Sequence, residues 1–77
     1  MQNTRHILGR NVRQYRKHHR LTQLDLSLDS GVSETVIKEI ERGAGNCRLD
    51  TIQLLAAFTG LTVADLFTSK EVLYAGT

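Results

Sequence analysis

Proline and tryptophan are absent from this 77-residue chain, cysteine and methionine occur once each, and two phenylalanines and two tyrosines supply all the aromatic surface. Without proline no turn is preset by a fixed φ. Glycines and capping side chains must therefore mark where helices start and stop. A single cysteine, Cys47, excludes an internal disulfide framework and fits a reducing compartment, the cytoplasm. No apolar run approaches ~18 residues, so neither a transmembrane helix nor a membrane partner is expected. The basic N-terminus lacks the apolar stretch of a secretory signal, and no lipidation box ends the chain. The hydrophobic fraction of 40% and charged fraction of 23% are ordinary for a globular protein. The length predicts a single domain over 1–77, with a core of about 4–68 and a tail at 69–77. A core this small has little stability to spare, so self-association is an expectation.

Charge of one sign is also missing locally. Residues 1–20 hold Arg5, Arg10, Arg13, Arg16, Lys17 and Arg20 and no acid, a local charge of +6. The other 57 residues hold four basic and eight acidic side chains, a net −4, so the chain as a whole carries +2. All three histidines, His6, His18 and His19, lie in the basic segment. They show no metal-ligand spacing, and adjacent helical residues such as His18 and His19 point about 100° apart. Cys47 has no nucleophile–base–orienter set around it, and no glycine-rich phosphate loop is present. The chain therefore reads as no enzyme, with no metal and no cofactor.

Hydrophobic spacing predicts five helices. Leu8, Val12 and Tyr15 form a helical stripe that Thr4 can cap, ending near His19. Thr22 begins a second helix, with Asp25 placed as a capping-box acid, and Gly31 follows within two turns. Ser33 caps a third, carrying Ile37 and Ile40 inward and stopping at Gly43. Ile52, Leu55 and Ala56 mark a fourth, with Gly60 at its end. Thr62, with Asp65 three later, opens a fifth that is expected to turn Val63, Leu66 and Phe67 inward. Residues 71–74 can form a short strand or an ordered tail.

Two short helices joined by Ser30-Gly31-Val32 describe a helix-turn-helix. Gly31 permits the tight turn, Val32 can pack between the helices, and Ser33 leaves the next helix start facing outward, suited to a phosphate. The string Thr22-Gln23, Leu26-Ser27, Gly31-Val32-Ser33, Ile37 and Ile40-Glu41-Arg42-Gly43 resembles the Xre/Cro-type phage-repressor helix-turn-helix family. The resemblance continues through Asn46, Leu49-Asp50-Thr51-Ile52, Leu55-Ala56, Gly60 and Leu66-Phe67, and so spans about residues 7–67. It implies an all-α, compact five-helix bundle and a sequence-specific transcriptional regulator. Such a regulator binds a palindromic double-stranded DNA operator as a homodimer, with its third helix in the major groove.

By this resemblance Glu34, Thr35, Lys38 and Glu39 occupy base-reading slots. Gln23, Ser33, Arg42, Asn46 and Arg48 lie where phosphates are touched. Periodicity gives a compatible face, because inward Ile37 and Ile40 turn those four residues away from the core. Two acids on a reading helix are unusual. Glu34 and Glu39 either accept from cytosine N4 or weaken binding, and Glu34 can pair locally with Lys38. Ser27, Cys47, Arg48 and Thr59 replace residues more usual in the family. Arg16 and Glu41 each place a charge on an apolar face and are expected to meet as a structural ion pair, which the resemblance supports. Arg10, Arg13 and Arg20 read as a background field or peripheral phosphate contacts.

Surplus apolar residues complete the reading. Phe58, Leu66, Val72, Leu73 and Tyr74 are the expected dimer interface. Leu24 and Leu28 form a second pair, open to RNA polymerase or another protein, or simply scattered exposed leucine. The alternative function is a protein-interaction or antitoxin-like module on the same fold with weak DNA binding.

Overall fold

Capping side chains open three of the five helices, a role no proline is present to share. A computed structural model describes residues 4–44 and 47–69. In chain order these form α1 (Thr4–His18), α2 (Gln23–Ser30), α3 (Glu34–Glu41), α4 (Leu49–Thr59) and α5 (Val63–Leu66), with no strand among the described residues. Thr22 caps α2 reciprocally: its Oγ1 accepts from Asp25 N–H at 3.0 Å, and the Asp25 carboxylate accepts from Thr22 N–H at 2.9 Å. Thr62 and Asp65 repeat the arrangement at α5, at 3.0 and 3.1 Å. Ser33 Oγ accepts from Val36 N–H at 3.1 Å to open α3. Arg48 stands at the start of α4 with no side-chain cap bond.

The turn between α2 and α3 depends on Gly31, whose φ of 84° lies in the left-handed region that side chains avoid. Its N–H closes onto Ser27 C=O at 3.0 Å. Ser30 is buried there, and its hydroxyl accepts from Val32 N–H at 3.2 Å. Val32 is then free to enter the core. α1 ends differently. Leu21 N–H reaches Arg16 C=O at 2.8 Å and Arg20 N–H reaches Lys17 C=O at 3.1 Å, with Arg20 itself at φ 58°. This paired closure is the usual one for a glycine.

The core draws on every helix: Leu8 and Val12 of α1, Leu26 of α2, Ile37 and Ile40 of α3, Leu55 of α4 and Leu66 of α5, with Val32 from the turn. Complete burial of one such side chain contributes about 1.5–3 kcal/mol. Leu66 is 1% exposed, which corrects its assignment to a dimer interface: its side chain is consumed by the monomer core. Val63, expected inward, is 38% exposed. The burial of Leu66 agrees with the inward face expected from spacing, whereas a four-residue helix has too few turns for periodicity to place Val63 as well.

So short a helix needs outside support, because its end carbonyls have no internal donors. Asn11 provides it from within α1. Its buried amide donates to Leu66 C=O at 2.7 Å and to Thr68 C=O at 2.9 Å. Arg10 adds a bond to Ser69 C=O at 2.7 Å. Thr59 is tolerated inside the bundle because its hydroxyl donates to Leu55 C=O at 2.8 Å and accepts from Leu61 N–H at 3.2 Å.

α1 and α3 cross at Gly9, where a Cβ would fall on the Ile40 carbonyl oxygen. That near neighbour is backbone and cannot rotate away. The variant Gly9→Ala should gain up to about 1 kcal/mol of helix propensity. It should nevertheless be destabilised by about 2 kcal/mol net, since overpacking against backbone costs more. Urea unfolding measures this, and an unchanged midpoint contradicts the close approach.

The α2 cap also predicts an acid sensitivity. Backbone and hydroxyl bonds from Thr22 hold the Asp25 carboxyl below the usual aspartate range. Its contribution to stability is therefore present above the unfolded-state value and is lost as pH falls through the depressed folded value. Asp25→Ala should lose less stability than the parent chain as pH is lowered from about 4, the unfolded-state aspartate value, as read by urea midpoints across pH. Equal losses refute the assignment.

Candidate nucleic-acid interface

The outer face of α3 follows from its inner one. With Ile37 and Ile40 locked in the core, Thr35 and Lys38 are exposed and Glu34 and Glu39 are half-buried. Glu34 and Lys38, one turn apart, approach to 3.9 Å, so each partly neutralises the other. Ser33 spends its acceptor on the α3 cap, and its O–H remains able to donate outward.

Behind that face lies the pair that joins α3 to α1. Arg16 and Glu41 form a two-pronged fork: Nε to Oε2 at 2.8 Å and Nη2 to Oε1 at 2.9 Å. The third guanidinium nitrogen, Nη1, donates to Leu21 C=O at 3.0 Å, in the link between α1 and α2. The side chains are 14% and 5% exposed, so the fork is largely shielded from water. The Glu41 hydrogen bond, helped by its charge, raises the Arg16 pKa above the usual arginine value despite the desolvation that opposes it. Gln23, expected at a phosphate, donates from Nε2 to Glu41 Oε1 at 3.3 Å. The fork thus holds three segments: the end of α1, the start of α2 and the end of α3.

Around these groups opens a groove of about 760 Å³ between the C-terminal half of α1, the start of α2 and the face of α3. Arg13, Arg16, Arg20, Lys38 and Arg42 line it, against only two acids, Glu39 and Glu41. The lining therefore carries +3, more than the whole chain's +2, and everything outside it sums to −1. This alters the expectation for the basic N-terminal segment. Arg13 and Arg20 were read as a background field or peripheral phosphate contacts, and they wall the same groove as Thr35, Lys38 and Glu39. The +6 run was the available signal; helical periodicity could not show that part of it folds beside α3.

The other expected phosphate contacts are scattered. Arg42 caps the end of α3 and lines the groove. Arg48 lies outside its lining, highly exposed, with Nε 3.5 Å from Asp50. Asn46 lies outside the described residues, as do Val72, Leu73 and Tyr74. Phe58 is half-buried, edge-on to Tyr15 with ring centres 6.0 Å apart. Cys47 is half-buried and its thiol is pushed up by burial, away from thiolate reactivity. No group of three or more metal-ligating side chains forms among the described residues. No helix among them is long and apolar enough to cross a membrane.

A helix-turn-helix with its second helix facing a cationic groove defines a class, and comparison with known proteins agrees. The chain belongs to the Xre-type helix-turn-helix family, whose pattern matches residues 12–66, and is a DNA-binding transcriptional regulator without enzymatic activity. Over 64 residues it is 38% identical to "Control protein C.SmaI" of Serratia marcescens, an alignment covering 83% of this chain and 76% of that protein. No solved structure matches it.

The fork yields a direct test. Glu41→Ala leaves the Arg16 guanidinium stranded and should cost about 3 kcal/mol. Replacing both partners with apolar residues, Arg16→Met with Glu41→Leu, should recover part of that loss. Chemical denaturation of the parent, of Arg16→Met and Glu41→Leu singly and of the double variant measures the coupling, and additive losses would show that the pair does not interact.

Proposed function

We propose that this regulator binds a palindromic operator as a homodimer, with α3 entering the major groove. The observation that carries the reading is the cationic groove against α3, which offers phosphates a counter-charge beside a base-reading face. Thr35, Lys38 and Glu39 line the groove, with Glu34 at the start of the same helix. In this reading Thr35 meets a thymine methyl or a phosphate, Lys38 an acceptor edge, and Glu34 or Glu39 a cytosine N4. Gln23, Ser33, Arg42, Asn46 and Arg48 hold phosphates and set the register. The compartment is the cytoplasm.

The dimer surface lies toward α4 and α5. Phe58 is joined there by exposed Leu54 and Val63, at 43% and 38%. Val72, Leu73 and Tyr74 extend this surface in the proposal. Two-fold pairing would set two α3 helices about one DNA turn apart. The name of the related control protein fits a regulatory role. One observation favours a second reading as a protein-interaction module: Leu24 and Leu28 of α2 are 50% and 73% exposed. They would serve a contact with RNA polymerase or another protein.

Selection from a random duplex library at two salt concentrations tests the proposal. The expected result is an inverted repeat with half-sites about one helical turn apart and affinity that falls with salt. No enriched motif, together with a stable hetero-complex, would favour the second reading. Within the selected site, Glu39→Ala should relax preference at one position per half-site, a loss of about 1–3 kcal/mol in discrimination. Arg48→Ala should weaken every duplex alike and lower the salt slope by about 0.9.

A further inference from the structure

Every described residue at positive φ is a glycine except one. Gly31, Gly43 and Gly60 end helices at φ 84°, 73° and 75°, whereas α1 is closed by Arg20 at 58°. An L side chain in this region is crowded against its own backbone, so glycine serves the fold better there. The cation is not needed for the α1 dipole, since the last turn already holds Arg16, Lys17 and His18. Nor does it neutralise an acid: Arg20 is exposed, and among the described residues no carboxylate pairs with it. What it does is form one wall of the cationic groove, with Arg13, opposite Lys38 and Arg42.

We propose that Arg20 is a phosphate-binding residue of the DNA interface, retained in a left-handed backbone position for its charge at the expense of fold stability. The helix-turn-helix then is not the whole interface: the end of α1 supplies a further wall, and one DNA strand runs between that wall and α3. The ligand is the phosphodiester backbone, because the exposed Arg20 guanidinium shares the groove wall with Arg13, and two like charges there call for an anion. Arg20 therefore contributes affinity without sequence preference. Its place beside the Arg16–Glu41 fork fixes it relative to α3. The bond from Leu21 N–H to Arg16 C=O and the bond from Arg16 Nη1 to Leu21 C=O brace the residue that follows it.

This inference rests on the proposed DNA reading, and the substitution Arg20→Gly separates the two. It removes the charge and relieves the backbone in one step. The measurements are the melting temperature of the full chain, and its affinity for two duplexes over a salt series. One duplex is that selected by the parent chain; the other is of unrelated sequence. The expected result is a melting temperature equal to or above the parent's. Affinity for both duplexes should fall about fivefold at 0.15 M salt, with the slope of log affinity against log salt shallower by about 0.9. The order of base preferences should be unchanged. Unchanged affinity and slope overturn the role of Arg20 while leaving the DNA reading intact, and so does an affinity loss with no change in slope. A marked drop in melting temperature overturns the claim that the position favours glycine. If the parent chain itself selects no sequence and shows no salt dependence, the DNA reading and this inference fall together.

Discussion

A carboxylate with 5% of its side chain exposed cannot stay in this small bundle without a cation, and Arg16 is the cation Glu41 meets. The direction of Arg16 from α1 is thereby fixed, and with it the end of α3. The same guanidinium takes up the Leu21 carbonyl, so the path from α1 into α2 is held as well. Gln23 completes the set by donating to the same carboxylate. A single fork thus orients all three segments that shape the groove. Hydrophobic burial alone would let these helices slide past one another, since apolar contact is without direction. The fork, with two parallel hydrogen bonds, is directional.

Close approach is the second constraint, and it works with the first. Gly9 lets the α1 backbone lie against Ile40, one residue before Glu41. Side-chain volume at that position would lift α3 away and lengthen the reach of Arg16. The missing side chain and the ion pair are therefore two parts of one joint. The charge pattern of the surface follows from it. With Glu41 occupied by Arg16, Glu39 remains the one acid in the groove outside the fork, facing Arg13, Arg20, Lys38 and Arg42. A chain of modest overall charge can in this way present a locally strong positive field.

The features legible in the sequence were those written locally. Thr22 with Asp25, Ser33, Gly31 and Thr62 with Asp65 mark helix ends through contacts three or four residues apart, and spacing reveals such contacts. The Arg16–Glu41 pair was legible for a different reason: each charge interrupts an apolar stripe. Three features escaped. Asn11 lies buried on α1, but a polar residue between Leu8 and Val12 looks like an ordinary helical position until α5 is seen to end against it. Val63 was expected inward because a helix of four residues shows no clear period, while Leu66 is inward as its spacing indicated. Arg13 and Arg20 were left open between a background field and peripheral phosphate contacts, because spacing cannot show what lies beside an exposed arginine; their grouping with α3 is tertiary information.

Asn11 and Arg16 share one rigid rod. They stand five residues apart on α1, about 7.5 Å along its axis. The first grips the end of α5, and the second grips the end of α3. No flexible loop lies between those two grips. In a two-fold pair assembled through the α4–α5 side, the distance between reading helices is consequently set as by the fixed arms of a pair of callipers. Tolerance for a half-site separated by one base pair more or fewer would then have to come from bending the DNA rather than from α1, which is one unbroken helix between the two grips.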